Sequence, residues 1–171
     1  MVPDLYNAWH AGVSFWKNVN SLNSKSIGIE ISNPGHSNGY TNFSKRQINS
    51  IIQLSKKLIK KYKISKKNVL GHSDVAPLRK IDPGEKFPWE LFSKKNNAVW
   101  HNISKQKCKS LRNKKVKEEE FYKLLYKFGY HPAKKQADKI KIFKNFQRRF
   151  RPKFIKSNPD KECYYILKSL I

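Results

Sequence analysis

Cysteines and acidic residues are scarce in this 171-residue chain. Only Cys108 and Cys163 occur, with no C-x-x-C and no Cys/His finger spacing, which excludes a cysteine-built metal knuckle and a dense disulfide framework. Whether the two pair is left open by the sequence. No apolar run approaches the roughly 20 residues that a membrane-spanning helix needs. The opening M-V-P-D-L-Y-N-A-W-H has neither a basic start nor an apolar core, so no signal peptide is expected in the chain as written. The 12 Asp and Glu face 37 Lys and Arg, a net charge of +25. That excess asks for an anionic partner: nucleic acid, an acidic membrane surface, or a cell-wall polymer whose stem peptides carry free carboxylates. A bias towards Lys, Asn and Ile also follows from an AT-rich genome, so charge does not choose among them.

The stretch with the most chemistry is V-L-G-H-S-D-V-A-P-L-R-K-I-D-P-G-E-K-F-P-W, residues 69 to 89. An apolar run brings His72 to the mouth of a loop, and Asp82 follows ten residues later before Pro83-Gly84. Imidazole and carboxylate are both good zinc donors, and the prolines stiffen the loop that carries them. Lys80 lies two residues before Asp82, where its charge can hold a developing oxyanion. On the residues alone, a turn capped by His72 and Asp74 is the better account.

The wording of the loop adds to that reading. G-H-S-D-V-A-P-x-R-K-x-D-P-G resembles the active-site loop of zinc-dependent N-acetylmuramoyl-L-alanine amidases of the AmpD/AmiD kind, relatives of the peptidoglycan recognition proteins. The resemblance implies that His72 and Asp82 are two of three protein ligands to one zinc and that Lys80 is an active-site residue. Asn7-Ala8-Trp9-His10-Ala11-Gly12-Val13-Ser14 matches the A-W-H-A-G-V-S signature of the same family, which implies that Trp9, His10 and Ala11 wall the substrate groove. Without the motif, His10 is a half-buried histidine packed on a tryptophan. In S-I-G-I-E-I, residues 26 to 31, the family's catalytic acid/base falls on Glu30; the alternative is an edge-strand Glu facing solvent. N-P-G at 33 to 35 is shared with the AmiD branch and puts Asn33 beside substrate. The family fold opens with a strand carrying its first zinc-binding His, ahead of A-W-H-A-G. This chain starts at V-P-D-L-Y, so the expected donor set within it is His72 and Asp82.

Secondary structure is read from period and punctuation. Residues 1 to 24 read as loop. Ser26 to Ile31 reads as a strand, with β-branched residues and a Gly where backbones approach. Ser44 and Gln47 form a capping box ahead of Ile48, Ile51, Ile52, Leu58, Ile59 and Tyr62 at helical spacing. A second strand at 68 to 71 then makes a strand, helix, strand crossover. From residue 93 to 117 apolar periodicity fades. Three amphipathic helices follow: a Phe121, Leu124, Leu125, Phe128 stripe ended by Gly129; an Ala137, Ile140, Phe143, Phe146, Phe150 stripe stopped at Arg151-Pro152; and a helix capped by Asp160 with Tyr164, Ile166, Leu167 and Leu170. K-F-G-Y-x-P, F-Q-R-R-F-R-P and the closing D-x-E-x-x-x-I-L-x-x-L resemble the three-helix peptidoglycan-binding domain often found behind these amidases. Basic residues outnumber acidic ones 16 to 6 up to residue 100 and 21 to 6 after it.

The expected fold class is therefore α/β, a mixed sheet flanked by helices and followed by a small three-helix domain. Residues 1–95 form an N-terminally incomplete amidase domain, 96–117 a linker and 118–171 the wall-binding helices. The expected activity is zinc-assisted hydrolysis of the amide between N-acetylmuramic acid and L-alanine, by a monomer in the cell envelope, periplasmic or secreted. Two rivals stay open: a peptidoglycan-binding remnant without turnover, and a basic nucleic-acid binder. No nucleic-acid motif is present, so the expected partner is peptidoglycan or a muropeptide and not nucleic acid.

Overall fold

A computed structural model of the chain describes residues 2, 3 and 6–171. It is built mainly of helices. The first regular element is a hairpin, β1 (Phe15–Trp16) paired antiparallel with β2 (Val19–Asn20). Its two-residue turn places Lys17 at φ 47 and Asn18 at φ 65, the left-handed pair that matches the twist of the flanking strands. The sequence predicts loop over residues 1 to 24, and the hairpin departs from it. Trp16 makes it matter: its ring meets Phe128 and Tyr130 edge-on at 5.6 and 5.2 Å, and Lys17 N donates to Gly129 O at 3.0 Å. Gly129 is required here, because a Cβ would stand 2.8 Å from the Trp16 ring and φ is +144.

Helix α1 (Lys45–Lys61) begins at the expected capping box, with Gln47 N donating to Ser44 Oγ at 3.2 Å and Ser44 N to Gln47 Oε1 at 2.9 Å. Ile48 and Ile52 are buried against Phe87, Trp89, Phe92 and Ala98, and the lysine face is solvated. The four-residue α2 (His72–Val75) and the six-residue α3 (Trp89–Lys94) bracket the loop singled out in the sequence. Helices α5 (Glu118–Phe128), α6 (Gln136–Phe150) and α7 (Lys161–Leu170) appear where their stripes predict. Phe121, Leu125, Phe143, Phe146 and Leu167 are 0 % exposed. Ala11, Trp16, Leu22 and Val75 belong to this same core, so the N-terminal half packs directly on the C-terminal helices.

Two expectations are corrected. Residues 26–31 form no strand, and neither do residues 68–71, where a 3-10 turn over Lys66–Asn68 runs into α2. A strand is stable only when its backbone groups find a ladder. Among the described residues, Ile27 to Ile31 make no backbone–backbone hydrogen bond, and Ile27 and Ile29 are 40 % and 37 % exposed. The mixed sheet and its strand, helix, strand crossover are therefore absent there; the hairpin β1-β2 is the only sheet among the described residues. The segment 96–117, expected as linker, carries α4 (Lys105–Leu111), capped by Ser104 and packed against α7. Its period was too weak to read because it buries a single side chain, Cys108.

A buried polar cluster joins α4, α6 and α7. Arg112 grips Glu162 with two parallel bonds, Nε to Oε2 at 2.7 Å and a terminal nitrogen to Oε1 at 2.8 Å. Arg151 reaches Asp160 at 2.6 Å and Glu162 at 3.0 Å. Paired in this way, four charges can be buried without an uncompensated one. Cys108 and Cys163 are both buried free thiols. No helix among the described residues is long and apolar enough to cross a membrane.

Candidate active site

The site is organised by the first residue of α2. His72 Nδ1 lies 3.0 Å from Asp82 Oδ2, and Ser73 N donates to Asp82 O at 2.8 Å, so the ends of the ten-residue loop are pinned together. The other ring nitrogen, Nε2, is 3.3 Å from Ala11 O, the carbonyl inside A-W-H-A-G. The Arg79 guanidinium is 3.4 Å from that nitrogen as well, but it donates to the carbonyls of Ala11 and, at 3.2 Å, Val13. Nε2 cannot donate to Ala11 and accept from Arg79 at once. With the proton on Nδ1, His72 donates to Asp82 and Nε2 accepts from Arg79; a metal bound between His72 and Asp82 would take the place of that proton, with Nε2–H then turned to Ala11 O.

That arrangement suits a divalent metal at two corners. A histidine ligand is normally oriented by a carbonyl or carboxylate on its second nitrogen, the part Ala11 O plays here. The edge of a tetrahedral zinc shell is roughly 3.4 Å for ordinary Zn–N and Zn–O lengths, close to the His72 to Asp82 separation. Burial works against ionisation of Asp82, but the hydrogen bond and charge of His72 and the charge of Lys80 outweigh it and hold the carboxyl below its ordinary value of 3.8. The carboxylate is thus ready to bind a cation at neutral pH. No cluster of three His, Cys, Asp or Glu side chains suited to a metal occurs among the described residues.

The remaining candidates sit as follows. His10 is half-buried with both nitrogens engaged, Nδ1 at 2.9 Å from Ala8 O and Nε2 at 2.9 Å from Ser26 Oγ. Its ring lies over Gly28, where a Cβ would be 2.6 Å away. His36 stacks on Tyr40 at 4.1 Å and pairs with Glu85 at 3.1 Å. Neither histidine turns towards Asp82 in this arrangement. Trp9 is 89 % exposed, an aromatic face offered to solvent next to Ala11. Asn33 spends its side chain on its own loop, donating to Thr41 O at 3.1 Å and accepting from Gly35 N at 3.0 Å. Glu30 is exposed and lines a shallow cleft with Arg46, Gln47 and Ser50. It faces solvent, as in the alternative reading, but on a stretch that has no strand ladder among the described residues. Lys80 is half-buried, and its charge is felt by Asp82.

The sequence reading missed the support behind the loop. Asp74, 1 % exposed, accepts from Gly71 N at 2.8 Å on Oδ2, which also takes the Arg149 guanidinium; Oδ1 takes the Tyr130 hydroxyl. Burial and the Asp74 charge push the Tyr130 phenol well above its ordinary value of 10, which keeps it a donor. Arg149 also donates to Val69 O at 2.9 Å and stacks 4.2 Å over Trp89. The available signal was a pair of arginines inside F-Q-R-R-F, charged residues set among core aromatics.

Known proteins resemble the chain in sequence and in overall fold. Residues 1–85 match the family described as N-acetylmuramoyl-L-alanine amidase. The chain is 32 % identical to N-acetylmuramoyl-L-alanine amidase AmiD of Escherichia coli, over 100 % of its own length and 66 % of the relative's. It is 40 % identical to 1,6-anhydro-N-acetylmuramyl-L-alanine amidase AmpD of Haemophilus influenzae over 50 % of this chain and 45 % of that one. It therefore spans just under two thirds of the length of AmiD and about half that of AmpD. Among solved structures, AmiD of E. coli in complex with the substrate anhydro-N-acetylmuramic acid-L-Ala-D-gamma-Glu-L-Lys superimposes with a TM-score of 0.89 at 32 % identity, covering 99 % of this chain and 70 % of the other. AmpDH3 from Pseudomonas aeruginosa gives 0.88 at 32 % identity, with coverage of 99 % and 70 %. With similarity to AmiD along the whole of its own length, the chain belongs to the N-acetylmuramoyl-L-alanine amidase family.

Proposed function

We propose that the chain hydrolyses the amide between the lactyl group of N-acetylmuramic acid and L-alanine in peptidoglycan or a muropeptide derived from it, acting in the cell envelope. The observation that carries this reading is the 3.0 Å approach of His72 Nδ1 to Asp82 Oδ2 on the family's own loop. The muropeptide held by the similar E. coli AmiD supports the substrate class.

His72 and Asp82 would hold a zinc ion, which when bound supplies Lewis acidity and a nucleophilic water at neutral pH. The residues themselves do the rest. Ala11 O and Arg79 fix the His72 ring, and His72 with Lys80 keeps Asp82 ionised. Water oxygen adds to the carbonyl carbon, and Lys80 offers its ammonium to the oxyanion that develops. Glu30 takes the water proton and returns it to the leaving nitrogen as the C–N bond breaks, giving a lactyl carboxylate and a free L-alanine amine. Trp9, His10, Ala11 and Asn33 line the approach. The outward faces of α5–α7 hold the wall polymer, raising substrate concentration near the loop.

The test is a mass-spectrometric digest of muropeptides with zinc and with chelator. Stem peptide released from L-Ala, blocked by chelator and lost in Glu30→Ala with the fold intact, is the expected result. Full activity in Glu30→Ala would remove that residue from the mechanism. A second reading, wall binding without turnover, is favoured by the commitment of His10 and His36 to other partners. Sacculus binding with no peptide release would select it.

A further inference from the structure

The loop that carries His72 and Asp82 is gripped from behind by one face of α6. Arg149 holds it at Val69 O and at the Asp74 carboxylate. Asn145, one turn earlier and 1 % exposed, donates from Nδ2 to Pro77 O and to Lys80 O, both at 2.9 Å. Arg148, itself tied to Asn145 Oδ1 at 2.9 Å, lies 3.5 Å from the Glu85 carboxylate. Tyr130, in the turn between α5 and α6, closes the set on Asp74 Oδ1. The grips fall at positions 69, 74, 77, 80 and 85. His72 and Asp82 lie between them, tied to each other, to Ala11, to Ser73 and, through the His72 carbonyl, to Ala76.

Packing does not explain these choices. Arg149 and Tyr130 are 2 % and 0 % exposed, and apolar residues of similar volume would fill the same space without desolvating a charge. What a buried guanidinium and amide add is direction. They fix the loop carbonyls, and so the distance between two side chains that must meet one ligand. We propose that Arg149, Tyr130 and Asn145 are positioning residues for the His72–Asp82 pair, so that α6 forms the back wall of the active site as well as part of a wall-binding unit. This rests on reading that pair as metal-binding.

The test uses the full chain with Tyr130→Phe, Asn145→Ala, Arg149→Lys and Arg149→Met. Amide exchange is followed at Gly71, Ser73 and Asp74, and at Ile52 and Leu167 as controls, together with the His72 ring nitrogen resonances and zinc affinity by chelator competition. Tyr130→Phe and Asn145→Ala are expected to exchange at least about tenfold faster at the loop amides with the controls unchanged. The His72 signals should move towards those of free imidazole, and zinc should bind about tenfold more weakly, the effect typical of support behind a ligand. Arg149→Lys should recover part of what Arg149→Met loses. Unchanged loop amides and His72 signals in Tyr130→Phe and Asn145→Ala would overturn the proposal, as would a loss of protection shared equally by Leu167. If the unsubstituted chain binds no zinc, the metal reading fails alone, and exchange and His72 resonances still decide the positioning role.

Discussion

Two stretches carry the family wording with similar strength, and the fold treats them in opposite ways. Residues 69–85 are held by buried side chains of α6 and by their own backbone ties, while residues 26–31 have no regular structure and leave Glu30, Ile27 and Ile29 exposed. The first is anchored by the Asp74–Arg149 pair at 1 % and 2 % exposure; the second has no backbone partner among the described residues. The difference is one of what kind of partner each stretch needs. A loop can be fixed by a few side-chain grips, whereas an extended segment needs a continuous neighbour along its length.

Breaking the clamp should have the largest effect. Asp74→Ala leaves Arg149 buried without its partner, and about 3–5 kcal/mol of stability should be lost, read as a lower urea midpoint at unchanged slope. A loss under about 1 kcal/mol would mean that water reaches the guanidinium in solution and that the clamp is looser than its geometry.

Acid probes the far end of the same helical unit. Burial opposes ionisation of Asp160 and Glu162, but hydrogen bonds from Cys163 N and Arg151 to the first, and from Arg112 and Arg151 to the second, hold both below their ordinary values of 3.8 and 4.5. Depressed folded values contribute stability that is fully present above the unfolded values and lost as pH falls through the folded ones. The melting temperature should therefore stay level from pH 7 to about 5.5 and fall below about 4.5, with a shallower fall in Glu162→Gln. An equally steep fall in that variant would place the acid-sensitive group elsewhere, with Asp82 and Glu85 next to test.

Smaller effects belong to the N-terminal half. Ser44→Ala removes the cap of α1 and should cost about 1 kcal/mol. Ile29→Lys, in the exposed stretch, should change stability by no more than about 0.5 kcal/mol. A cost of 2 kcal/mol or more would show that this stretch finds a partner in solution, and the contrast between the two regions would vanish.

Much of the helical architecture was legible in the sequence because its signals are local. The Ser44/Gln47 box, Gly129 after α5, Pro152 after α6 and Asp160 before α7 each act within a few residues of themselves. The pairing of His72 with Asp82 was legible as a motif, ten residues apart on one stiffened loop. Strands at 26–31 and 68–71 were read from β-branched composition, which describes a surface able to pair and not the partner itself. Helix α4 escaped because one buried cysteine makes no stripe. The clamp escaped because Asn145 and Arg149 act on carbonyls 65 to 80 residues away, and nothing near them in sequence says which carbonyls those are.

The sequence by itself determined where the helices start and stop, which residues line the loop of chemistry, and the sign of the charge that any partner must answer. Only the tertiary structure decided that the C-terminal helices stand directly behind that loop, that Asp74 is a buried anchor as well as a turn cap, and that His10 and His36 are engaged away from Asp82. The physical reason is the same in each case. Capping and periodicity are settled by neighbours along the chain, while burying a charge or orienting an imidazole depends on partners that only folding brings within 3 Å.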